Sequence, residues 1–294
     1  MIISNLKGGL GNQLFIYTFI YTLAEKFSTE FCFDLTNYNL NLGKTLEIDK
    51  LNINLNKCEK SKLKKYRRIS MFKFEENIKQ RFNLIFSDQN IVKEDNFDLK
   101  KFIGEYSNIN DYYLDGYWQD IKFFSEKDKY FKSVFKVNNN YLSKNFEILN
   151  SEIEYNPKVL AIHIRKNDYL NKINSDIYFN IDLNYYKRAI SFIKDKLDIS
   201  KIFIFTDDYN WVRKNFNISN SKFIKEYKLT TIEEFEIMKK FKNIIICNST
   251  FSLWASLLNQ NKDKLIVAPQ NWFIRNNEIN TKKLISNEMV VLEN

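Results

Sequence analysis

Proline and glycine are scarce in this chain, with 2 and 6 residues among 294. So little of either excludes a collagen-like repeat and a linker-rich protein. Histidine occurs once, at His163, and cysteine three times, at Cys32, Cys58 and Cys247. The odd count, without CxxC or Cys/His ligand spacing, argues against a disulfide scaffold or a structural zinc site, and no metal ligands are read. No segment supplies the ~18 or more uninterrupted apolar residues of a membrane span. The nearest, Leu14 to Ala24, is short and carries Thr and Tyr. The opening MIISNLKGGLGNQ lacks the basic, apolar and small-residue regions of a secretory signal. These absences predict a cytoplasmic protein, with peripheral contact at an inner membrane surface left open.

What is present is core-forming material. Apolar residues make up 44% and aromatics 16% of a chain long enough for two domains. The net charge of +9 is weak evidence for an anionic partner, because Lys, Asn, Ile, Phe and Tyr are abundant together, as A+T-rich codons produce. No nucleic-acid partner is read from it. The basic run Lys62 to Arg68 suits phosphate-rich partners or, more simply, a solvated helix face.

Ile2 and Ile3 begin a strand, KGGLGNQ makes a glycine-rich turn, and Asn12 to Phe27 reads as a broadly apolar, buried helix. Such a turn brings backbone N–H groups near phosphate. The dinucleotide and Walker patterns nevertheless fail, since Leu14 stands where a third small residue is needed and no Gly-Lys-Ser/Thr follows. Glu30 to Asp34 completes a βαβ unit. Asp115 to Asp120, DGYWQD, is a strand end carrying Tyr117 and Trp118, rings suited to stacking on a sugar or to a core. A polar break at Asn138 to Asn140 places the domain boundary between Val137 and Pro157, giving domains 1–150 and 151–294.

In the second half strands and helices alternate, predicting a parallel, doubly wound sheet. Val159 to Ile164 is a buried strand leading into Arg165, Lys166 and Asp168. Lys201 to Thr206 leads into Asp207 and Asp208, and Ile244 to Cys247 into Asn248, Ser249 and Thr250 at a helix start. Leu265 to Ala268 is the last clear strand. Open parallel sheets bind ligands at their carboxyl edge. Arg165 there suits phosphate, Asp207 could accept from a base or ribose, and NST offers either an anion site or a plain cap. Together the three ends favour a nucleotide-diphosphate pocket.

GGLGNQLFIYTFIYTLA, DGYWQD, HIRKNDY, FTDD with Trp211, NSTFSLWASLL and VAPQNWF, in this order, resemble the bacterial α-1,2-fucosyltransferases of glycosyltransferase family 11. The resemblance spans nearly the whole chain and is weakest over Asn37 to Lys101. It implies an α/β fold of GT-B type, two Rossmann-like domains facing each other across a cleft, the first on the acceptor side and the second binding the nucleotide sugar. It implies inverting transfer of L-fucose from GDP-fucose to the 2-hydroxyl of a terminal galactoside in a surface glycan such as O-antigen, on an acceptor that lipid linkage would bring to the membrane. No metal and no cofactor are implied.

Residue by residue, His163 and Arg165 match the motif read as binding guanine and the β-phosphate, and Asn248, Ser249, Thr250 and Ser252 match the donor-binding motif. Gly8, Gly9, Gly11, Asn12 and Gln13 match the N-terminal turn, also on the donor list. Trp118 and Gln119 are acceptor-side candidates. Asp168 is the first choice of proton acceptor and Asp115 the second. Lys166, Asn167 and Leu253 depart from the family's Arg, small residue and Trp; lysine keeps charge but loses the bidentate fork. The alternatives are a GT-B transferase with another linkage or donor, a nucleotide-dependent oxidoreductase or kinase, and a non-catalytic basic protein.

Overall fold

The computed structural model describes residues 1–39, 44–71, 90–107, 110–166, 177–274 and 281–294. It divides into two compact units, Met1–Asp49 with Ile53–Gln119, and Lys50–Asn52 with Asp120–Asn294. In the first, the described strands β1 (Ile2–Asn5), β2 (Phe31–Asp34), β3 (Ile91–Lys93) and β4 (Tyr112–Asp115) form a parallel sheet of order β2-β1-β4-β3. The helix Leu10–Lys26 follows β1 directly, and its Leu14, Ile16, Phe19 and Ile20 are wholly buried. Its breadth of apolar surface matches the expected buried helix.

Cys32 of β2 and Cys58 form a disulfide, with their Cα atoms 5.0 Å apart. The spacing rule anticipates no such bridge. It arises because residues 56–58 run along β2, where Phe33 donates its N–H to Asn56 O and accepts from Cys58 N–H.

The second unit holds β5 (Val159–Ile164), β6 (Lys201–Thr206), β7 (Ser221–Phe223), β8 (Asn243–Ile245), β9 (Leu265–Pro269) and β10 (Met289–Leu292). They form a parallel sheet of order β10-β9-β8-β5-β6-β7. The strands expected from apolar runs are all present, and β10, a short half-exposed edge strand, adds one that sequence reading passes over. Central β5 is buried along its whole length, as strands covered on both faces are.

The division falls after Gln119, earlier than the Val137 to Pro157 boundary expected from sequence. Residues 120–155 belong with the second sheet for visible reasons. Phe124 and Phe135 meet Trp254 edge-on at 5.3 and 5.8 Å between centroids. Lys239 Nζ donates to Phe135 O at 3.1 Å, and Ser143 N–H donates to Glu233 at 2.6 Å. The Asn138 to Asn140 break is a short capped turn, in which Asn138 Oδ1 accepts from Asn140 N–H.

Candidate active site

Because β8, β5 and β6 are adjacent and parallel, their carboxyl ends bring three predicted segments together. Arg165, directly after β5, donates from Nη1 to Ser249 Oγ at 3.0 Å. Its Nε lies 3.9 Å from Asp207 Oδ2 at the end of β6. Asp207 Oδ1 accepts the Lys166 N–H at 2.8 Å, so this carboxylate ties the ends of β5 and β6 together and flanks the guanidinium. Ser249 also caps the helix Thr250–Leu257, accepting from Phe251 N–H at 3.4 Å. A cation held at a helix N-terminus makes a paired anion site. Thr250 is the helix's first residue.

Asn248 and Ser252, also expected at the donor, are buried and bonded to protein. Asn248 Nδ2 donates to Phe179 O and Trp272 O at 2.8 and 2.9 Å, and Ser252 Oγ donates to Ser249 O at 3.4 Å. Both build the turn that carries Ser249.

His163, the penultimate residue of β5, is 8% exposed, and its Nδ1 lies 3.3 Å from Cys247 Sγ. Burial, reinforced by the Arg165 charge, lowers its pKa to about 3; burial pushes the Cys247 thiol up to about 12. Both groups are therefore neutral across the physiological range.

Lys166 does not present its charge in the way its place in the motif suggests. Its Nζ donates to Asn180 Oδ1 and Ile181 O at 3.0 and 2.9 Å and lies 4.7 Å from the Trp211 ring centroid. Burial lowers its pKa, against the opposing pull of Asp182 and Asp207. Asp168, the first-choice base, lies outside the described residues, as do Asn167 and Tyr169.

Sequence reading gave no site role to Cys247 or Asn180. Glu234 lies in the first turn of the helix Thr231–Met238, and burial raises its pKa to about 7. Its neighbour Glu233 closes a capping box with Thr230, and acids in a first helical turn suit the helix dipole.

In the first unit the glycine-rich turn sits at the carboxyl end of β1. Gly8 has φ +79, and a Cβ there would come within 2.8 Å of Asn12 Nδ2, so glycine is required. Gly9 precedes a helix start that no side chain caps, and a Cβ on it meets nothing within 4 Å. Gly11 is buried in that first turn. Gln13 is fully buried: Nε2 donates to Gly8 O and Thr45 O, and Oε1 accepts from Glu47 and Ile48 N–H. Its hydrogen-bonding capacity is spent on backbone, so it fixes the turn. Asn12 Oδ1 accepts from Gln119 Nε2 at 2.9 Å. Asp115, ending β4, pairs with Lys7 at 2.6 Å and accepts from Asn5 Nδ2. Trp118, expected at the acceptor, is 4% exposed and stacks on Phe19 at 4.5 Å. It is a core ring, whereas its neighbour Tyr117 is exposed.

Among the described residues, no group of three or more His, Cys, Asp or Glu side chains is placed to hold a metal ion.

The family model described as glycosyl transferase family 11 matches residues 1–288. Two Escherichia coli proteins are each 28% identical to this chain. One, an O-antigen biosynthesis glycosyltransferase, WbnK, aligns over 94% of this chain and 96% of its own length; the other, an alpha-1,2-colitosyltransferase, over 94% and 93%. Among solved structures, the alpha-1,6-fucosyltransferase NodZ co-crystallised with GDP superposes with TM-score 0.52 at 12% identity, over 87% of this chain and 91% of NodZ. POFUT1 in complex with GDP-fucose gives 0.52 at 11% identity, over 91% and 97%. The fold is therefore α/β of the GT-B type.

Proposed function

The chain belongs to glycosyl transferase family 11, and from that membership we propose that it transfers L-fucose from GDP-fucose, with inversion and without a metal, to the 2-hydroxyl of a terminal galactoside. The observation that carries this reading is the 3.0 Å bond from Arg165 Nη1 to Ser249 Oγ at the start of the Thr250–Leu257 helix. It pairs a guanidinium with backbone donors, the combination that diphosphate needs as it departs.

In such a transfer the acceptor hydroxyl attacks the anomeric carbon while GDP leaves. Arg165 and the helix N–H groups oppose the developing charge, Asp207 steadies the guanidinium, and His163 meets the base. The proton passes to Asp168 or, as second candidate, Asp115. The acceptor is a surface glycan, on the strength of a relative named for O-antigen biosynthesis, and carriage on lipid would bring the enzyme to the inner membrane from the cytoplasm. Among the described residues no helix is long and apolar enough to cross a membrane.

The colitosyltransferase relative favours one second reading, a different deoxy sugar on the same linkage. Turnover of GDP-fucose beside the corresponding colitose nucleotide, with EDTA present, decides between them, with the product linkage read by NMR. Transfer of fucose to the galactose 2-position is expected. Transfer of colitose alone would hand the site to the second reading, and turnover of neither would end both.

A further inference from the structure

His163 and Cys247 meet where β5 and β8 open onto the site, and each has one hydrogen to place between them. The imidazole is neutral and so is the thiol, both held so by burial. Across the 3.3 Å separation, either S–H donates to Nδ1 or Nδ1–H donates to sulfur.

The surroundings choose between these. An imidazole lone pair is a strong acceptor, whereas thiol sulfur is a weak one. If Nδ1 carried the proton, the thiol hydrogen would have only Ser252 Oγ, 4.0 Å away, a longer and weaker contact than the 3.3 Å one to the imidazole nitrogen. With S–H directed at Nδ1, the thiol is satisfied and the proton sits on Nε2, which has no partner among the described residues. Nε2 is then the ring's free polar atom at the edge of a residue that keeps 8% exposure.

We infer that Cys247 is a positioning residue whose thiol holds His163 as the Nε2–H tautomer, so that His163 offers the ligand a hydrogen-bond donor and never an acceptor. The complementary ligand group is an acceptor edge, such as O6 and N7 of guanine. Cytosine would present its amino donor there and be refused. The ligand half of this inference rests on the proposed nucleotide-sugar reading; the tautomer half does not.

The chain's single histidine makes the test direct. In protein labelled with 15N-histidine, long-range proton–nitrogen correlation spectra assign the tautomer without ligand. Wild type is expected as Nε2–H, without protonation down to pH 5. Cys247→Ala should give mixed tautomers and weaken GDP binding by about two- to tenfold, as the competent form becomes a fraction of the total. Cys247→Ser, whose hydroxyl can also donate to Nδ1, should restore the tautomer and bring affinity back to within about twofold of wild type. An Nδ1–H tautomer in wild type overturns the inference, as does an unchanged tautomer in Cys247→Ala, which would leave only packing. Should the variants not fold, the wild-type spectrum alone decides. Failure of wild type to bind GDP would sink the donor reading, while the ligand-free spectrum would still uphold or overturn the thiol's role.

Discussion

The Lys166 ammonium faces the Trp211 ring at 4.7 Å while donating to Asn180 Oδ1 and Ile181 O. A lysine in the middle of a motif read from sequence as phosphate-binding is thus committed to holding protein. Lys166→Met should leave the buried Ile181 carbonyl unmet, free the exposed Asn180 amide and remove a cation–π contact, lowering stability by about 2 kcal/mol. In a chain of 294 residues calorimetry should register that as a Tm fall of roughly 3 °C. A Tm within a degree of wild type would mean that the ammonium is not held there.

Glu234 ties stability to pH in a direction opposite to the usual salt-bridged carboxylate. Its folded pKa is raised by burial from 4.5 to about 7. Below pH 4.5 it is protonated in both states and contributes nothing. As pH rises toward 7, the unfolded chain gives up its proton first, so folding becomes less favourable. Above 7 the full penalty, about 3 kcal/mol, is present. Glu234→Gln should therefore stabilise the protein in urea titrations at pH 8 and change little at pH 4.5. Equal gains at both pH values would remove burial of the charge as the cause.

The parts of this architecture legible in sequence are those encoded locally. Val159 to Ile164 and Lys201 to Thr206 are apolar runs ending in charge, and Ser249 is a capping residue at a helix start, so their convergence follows once the strands are parallel. What was not legible depends on which surface a side chain meets. Nothing local separates a lysine reaching for phosphate from Lys166 reaching for Ile181 O, or tells a sugar-stacking Trp118 from one stacked on Phe19. The allegiance of residues 120–155 was hidden for the same reason: Phe124, Phe131 and Phe135 declare an apolar face, but Trp254, which receives two of them, is far along the chain.

Gln13 looks from its motif like a ligand contact and behaves in the fold as a four-way backbone clip. Gln13→Glu keeps the size but sets carboxylate oxygen against the Gly8 and Thr45 carbonyls. A loss of at least about 3 kcal/mol is expected in chemical denaturation, since a charge is placed on a fully buried side chain and faces two carbonyls that lose its donor. A loss under 1 kcal/mol would show that the clip does not hold the turn.

The Cys32–Cys58 bridge spans a sequence separation of 26 residues, for which chain entropy predicts about 3.5 kcal/mol of stabilisation. Thiol titration of the unfolded, unreduced protein should find Cys247 alone, and reduction should release two more. Adding reductant should lower the Tm of oxidised protein, and Cys58→Ser should match the reduced form. Three thiols before reduction would show the pair to be open in the isolated protein.

Arg165 and Ser249 supply the sharpest test of the site, because Ser249 Oγ serves two donors, the Arg165 guanidinium and the Phe251 N–H. Arg165→Ala removes the charge proposed to oppose the leaving diphosphate and should reduce kcat by about 100- to 1000-fold. Arg165→Lys keeps charge without the planar fork and should fall between the two. Ser249→Ala should cost about 1 kcal/mol of stability as a lost cap, plus activity through a guanidinium no longer held in place. That second loss has nothing to act on once the guanidinium is gone. The double variant should therefore turn over no more slowly than Arg165→Ala alone, a non-additivity expected of residues that share one contact. If the two losses simply multiplied, Arg165 and Ser249 would be acting on the reaction independently, and the 3.0 Å bond between them would not be what orients the guanidinium.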